Sequence, residues 1–170
     1  MTPDPTIRIQ SVMQTLEHLI FPAVDPTNSL AIEQCGLVLA QLRMLIRHIP
    51  HIGQYHALCR DDLIATVEGL PPASGGTATL TAAQRLQEAC GQAHSLGDAS
   101  AAYHQIGFTL EGLMRVAVED GAPQYRRAID AAVLVFSQRQ SRRERSWFQD
   151  AGFDPYPHTL PDLAEMVAGR

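Results

Sequence analysis

Seven histidines stand among the 170 residues. The densest group of side chains able to move protons is His48, His51, Tyr55 and His56, with Arg60 and Asp61 one turn later. Histidine titrates near neutrality and tyrosine donates a hydrogen bond, so these four, with Tyr103 and His104, are the candidate lining of a small-ligand or catalytic pocket. The spacing opposes full convergence. On a helix that begins near His51, Tyr55 falls one turn on and His56 at an adjacent angle, while Pro50 bends the chain between His48 and His51. The plain reading is a corner between helices carrying solvated histidines.

Metal chemistry finds no pattern to stand on. Helical bundles that hold paired metals use Glu-x-x-His one turn apart. Three residues after Glu17, Glu33, Glu88 and Glu111 stand Ile20, Gly36, Gly91 and Met114. His-x-x-x-His, the zinc spacing on one straight helix, is missing as well. Neither a metal nor an organic cofactor is implied. The chain also lacks a Gly-x-Ser-x-Gly elbow, a Walker-type loop and a Rossmann fingerprint. Ser74-Gly75-Gly76-Thr77 is glycine-rich, but it follows a helical pattern and has no lysine for a phosphate, so it reads as a loop.

Arg139, Arg142, Arg143 and Arg145 lie within one short run before Trp147. Guanidinium groups bind phosphate and carboxylate in bidentate fashion, which makes the run a candidate patch for a small anionic ligand or an acidic partner. The competing reading is physical too: cations complement the negative end of a helix dipole.

Ala93-His94-Ser95-Leu96, followed by an amphipathic helix with Glu111, is similar to the phosphoacceptor segment of histidine phosphotransfer domains. In that family a lysine and a glycine follow the leucine, the first for phosphate charge and the second for access. Here Gly97 and Asp98 stand at those places, and an acidic side chain opposes phosphate by like-charge repulsion. The departure predicts that His94 accepts no phosphoryl group.

The elements that must position these residues are helices. Apolar residues recur at three and four, and proline and glycine cut the chain into helix-length pieces. Helices are predicted over 6–23, from a cap at Asn28 or Ser29 to 49, over 51–70, from 81 (Thr81 with Gln84 as a capping box), over 99–119, and from Pro123. Their stripes include Ala83, Leu86, Cys90 and Ala93 in the fourth, Ala102, Ile106, Leu110, Leu113 and Ala117 in the fifth, and Tyr125, Ile129, Ala132, Val133 and Phe136 in the sixth. The run 137–146 is polar all round. The second helix is too apolar for one-sided burial, its most regular polar line being Gln34, Gln41 and His48. It is central in a bundle or supplies a subunit interface. Residues 71–79 form the expected flexible loop, 150–170 an extended proline-rich tail, and 161–168 a short terminal helix.

The expected fold is therefore all-α: an antiparallel helical bundle of about six helices in a single domain over 1–170, similar to many small bacterial helical proteins. With 45% apolar residues the chain can bury a core. All 13 basic residues are arginine, and 18 acidic ones bring the formal charge to −5, which argues against nucleic acid as a partner. Three cysteines without paired spacing read as reduced core residues. The N-terminus has no secretory pattern, and Glu33, Gln34, Gln41, Arg43 and Arg47 interrupt the longest apolar region, so the expectation is a cytoplasmic protein off the membrane. Function is expected to be non-enzymatic, through homodimerisation or a protein partner. The alternative is a ligand site or modest enzyme in the bundle.

Overall fold

The structure, a computed structural model, describes residues 4–168 and is an all-α helical bundle. Among the described residues there is no strand, only an isolated bridge between Gly75 and Gly121. Six helices of 11 to 25 residues make up most of it: α1 (Pro5–Thr15), α2 (Ser29–His48), α3 (Ile52–Glu68), α4 (Thr77–Gln92), α5 (Ala99–Asp120) and α6 (Pro123–Trp147). A five-residue α7 (Leu163–Val167) follows the tail. The starts are chemically specified. Asp4 accepts from the Thr6 amide, Asn28 from Ala31, and Asp98 from Ser100 and Ala101, each supplying an acceptor to an amide that no preceding turn can pair.

Two boundaries differ from the sequence expectation. The first helix does not run straight to Ala23; it widens into a π turn at Leu16–Ile20 and tightens into a 3₁₀ turn at Phe21–Ala23, where Pro22 withholds its amide. Helix α4 begins at Thr77 rather than Thr81, so the last part of the expected loop 71–79 is helical. Gln84, assigned to a capping box, donates instead to Glu88 at 2.9 Å. Helix α6 carries its polar run through to Trp147 as regular helix.

By its contacts the chain falls into two compact units. Among the described residues the first comprises 4–52 and 145–163, the second 53–144 and 164–168. In the second, Leu63, Leu86, Ile106, Leu113 and Ile129 are fully buried and belong to one continuous core with Cys90, Ala93, Ala102, Leu110 and Ala117. Every member of the expected stripes of α4 and α5 is buried. Their small side chains let the two backbones run within 8 Å of each other. The first unit is built differently. Among its described residues only Leu39, His48, Ser146 and Leu163 are buried.

Candidate functional site

The histidine and tyrosine set divides between the units. His48 and His51 belong to the first; Tyr55, His56, Tyr103 and His104 belong to the second. Within the second unit the Tyr55 hydroxyl accepts from Gln140 Nε2 at 3.2 Å, and that nitrogen also reaches Glu144 Oε1. Burial, and then the neighbouring Cys59, push the Tyr55 phenol well above its ordinary range, and burial raises Tyr103 and Cys59 as well. Burial holds all three neutral, and Tyr55 is hydrogen-bonded within the fold. His56 lies edge-on to Tyr55, with ring centres 6.0 Å apart, and exposed His104 lies edge-on to Tyr103 at 5.6 Å.

The arginine run is drawn into ion pairs with the chain's own carboxylates. On the face of α6 toward α3, Arg139 Nε sits 3.1 Å from both Asp62 oxygens and Arg143 Nη1 2.6 Å from Asp62 Oδ2; Arg139 also donates to Thr66 at 2.9 Å. Burial alone would raise the Asp62 carboxyl, but hydrogen bonds from Arg139 and Arg143 more than reverse this and hold it below the usual range. In the first unit Arg145 grips Asp154 in bidentate fashion at 2.7 and 3.0 Å. Arg142 is exposed. An anion would have to displace an existing carboxylate at three of the four positions.

The glycine-rich loop is closed to phosphate for a similar reason. Asp120, at the end of α5, places its carboxylate on the N-terminus of α4, where it accepts from the amides of Ala78 and Thr79 at 3.0 and 3.1 Å and from the buried Thr79 hydroxyl. A helix N-terminus with its amides already taken by a carboxylate has no vacancy for a second anion. His94, exposed beyond the end of α4, has its Nε2 3.4 Å from Asp61 Oδ1. That carboxylate adds to the repulsion expected from Asp98. Incubation with phosphorylated response-regulator receivers should leave His94 unlabelled; acid-labile phosphate on it would reverse this reading.

Two of the grooves on the surface of the second unit are lined by residues outside the histidine and tyrosine set. One, between α4 and α5, has a volume of about 440 Å³ and runs over Ala82, Ala89 and Gly112 beside exposed Phe108. The other, about 430 Å³, lies between α3 and α6 over Ala65, Gly69, Ala131 and Ala132. Among the described residues no three potential metal ligands come together.

The most unusual surface is on α2. Successive residues turn by about 100°, which separates the helix into three arcs. One carries Ile32, Cys35, Leu39, Leu42 and Ile46, all buried or half-buried; the α1 hairpin packs on this helix and Glu17 binds Arg43 at the arc's edge. A second carries Glu33, Ala40 and Arg47. The third carries Leu30, Gln34, Leu37, Val38, Gln41 and Leu45, and its four apolar members are 42–65% exposed. Residues 29–68 contain an 18-residue window of mean hydropathy 1.3, long and apolar enough to cross a membrane by length and composition alone. The glutamines in the middle of the exposed arc, with Glu33 and Arg43, are unfavourable in hydrocarbon.

At the C-terminal end of the same face His48 is buried. Its ring stacks on Trp147, with centres 4.3 Å apart, and meets Phe148 edge-on at 6.3 Å. The sequence pattern groups His48 with its chain neighbours His51, Tyr55 and His56, not with Trp147. It contains no signal pairing the two. No protein family, curated protein or solved structure matches the chain.

Proposed function

We propose that this protein acts without catalysing a reaction, by self-association through the exposed apolar face of α2. The observation that carries the reading is Leu30, Leu37, Val38 and Leu45 standing in water on one side of a helix whose opposite side is already packed. Ile7, Val12, Leu19, Ile20 and Phe21 of the same unit are also 37–70% exposed. Together these side chains present several hundred Å² of apolar surface, on the scale of the roughly 800 Å² that each partner of a standard interface covers.

A second copy of the chain suits this face better than lipid does. Gln34 and Gln41 lie between the leucines, and each amide carries both donor and acceptor. Across a two-fold axis the same row meets itself, so the glutamines can satisfy one another and set the register, as a polar residue does in a helical seam. In hydrocarbon those amides would go unpaired. The alternative, a pocket lined by histidine and tyrosine, has less support, since the Tyr55 hydroxyl is already hydrogen-bonded to Gln140.

Sedimentation velocity at micromolar concentration tests this. The expected result is a dimer that becomes a monomer in the Leu37→Glu, Leu45→Glu variant, with unchanged far-UV circular dichroism because both positions are already exposed. A monomer in the unsubstituted protein overturns the reading. So does a protein that remains monomeric but binds neutral phosphatidylcholine vesicles.

A further inference from the structure

His48 shares the exposed face of α2 with Leu37, Gln41 and Leu45, yet it is only 4% exposed. The cover comes from the last turn of α6 and the segment that follows it. Trp147 stacks on the imidazole and Phe148 closes its edge. One residue earlier on α2, Arg47 binds the same segment twice, at Asp150 and, at 2.8 Å, at Asp162. The segment is folded on itself. Arg145 holds Asp154, Asp154 accepts from the Tyr156 amide at 2.8 Å, and Gln149 Nε2 donates to the Pro157 carbonyl at 2.8 Å. Adjacent residues of α2 thus clasp one compact piece of chain, Arg47 by charge and His48 by burial. The buried Nε2 of His48 and the buried Oγ of Ser146 are both without a hydrogen-bond partner.

We infer that residues 145–162 are an acid-released strap, latched on Arg47 and His48, that caps the C-terminal end of the exposed α2 face. Its consequence for association rests on the self-association reading above; its opening does not.

The sign follows from the surroundings of His48. Burial strips water from the charged imidazolium and lowers its pKa; the Trp147 backbone and Asp150 pull the other way, and Arg47 and His51 add repulsion. Asp150 is itself bound by Arg47, and the net direction is downward. With the strap open, His48 returns to an ordinary value near 6.5. The open form therefore binds more protons between the two values. Docking is at full strength above about pH 6.5 and weakens as pH falls below it, down to the lowered pKa of the docked state. Release uncovers His48 and the end of the stripe, lengthening the face a second copy can use.

Trp147 is the only tryptophan in the chain, so its emission reads the latch alone. Acrylamide quenching reports its exposure, which protonation of a neighbouring imidazole would not change by itself. Between about pH 7.5 and 5, quenching of the unsubstituted protein should rise about twofold as the strap opens locally, with helix content constant. His48→Leu keeps an apolar side chain under Trp147 and should abolish the rise. Arg47→Ala should show high quenching already at neutral pH. Unchanged quenching across this range overturns the strap, as does a rise that persists in His48→Leu. Sedimentation under the same conditions separates the two readings: a monomer throughout, with the quenching transition intact, refutes self-association and leaves the strap standing.

Discussion

Leu113→Ala should lower the unfolding free energy by about 3 to 5 kcal/mol, the upper range for removing a buried leucine side chain. Leu113 is 0% exposed, at the centre of the stripe that α5 turns into the second unit's core. The loss combines the transfer energy of the deleted carbons with the cavity left among side chains that cannot collapse fully. Phe108→Ala, on the same helix, is the comparison. Phe108 is a larger side chain but 79% exposed, and its removal should change stability by no more than about 0.5 kcal/mol. Urea titration of the two variants decides. Equal losses would mean that the core is not where the buried stripe places it.

Gly75→Ala should be comparably damaging, by about 3 kcal/mol or more, for reasons of backbone rather than packing. Gly75 has φ +145°, a conformation open to glycine and strained for any residue with a Cβ. An added Cβ would stand 2.7 Å from the Asp120 carbonyl oxygen and 2.7 Å from Gly121 Cα, both main-chain atoms that cannot swing aside. The same crossing carries the Gly76 amide to the Asp120 carbonyl at 2.7 Å and the Ala122 amide to the Ser74 carbonyl at 3.0 Å. Pushing the two segments apart also withdraws the Asp120 carboxylate from the start of α4 and leaves the Thr79 hydroxyl buried without its acceptor. Hydrogen exchange at Ala78 and Thr79 should rise sharply in the variant. Wild-type stability with protected amides at both positions would refute the assignment of Asp120 as the cap.

These two sites differ in how far the sequence discloses them. The spacing of Ala102, Ile106, Leu110, Leu113 and Ala117 suffices to mark one face of α5, since a helix turns every residue by a constant angle and a run at three and four must share a side. The caps at Asn28 and Asp98 are equally legible, because their acceptors serve amides two or three residues away. Asp120 serves an amide forty-one residues away. A local rule therefore selected Thr81 with Gln84, whereas an unpaired amide requires only an acceptor in the right place, whatever its position along the chain.

The candidate site divides along the same line. The excess apolar surface of α2, the cluster of arginines and the histidine corner can all be read from residue types and short spacings. That Arg139 and Arg143 converge on Asp62, that Arg145 is taken by Asp154, and that His48 is sealed by Trp147, are decided only when distant segments meet. Helical periodicity is a property of neighbours in the chain, and the sequence alone determined it. Burial, ion pairing and the loss of water around a titratable group depend on what covers each face. For the outer face of α2, tertiary structure covers only the end at His48 and leaves the leucines in water.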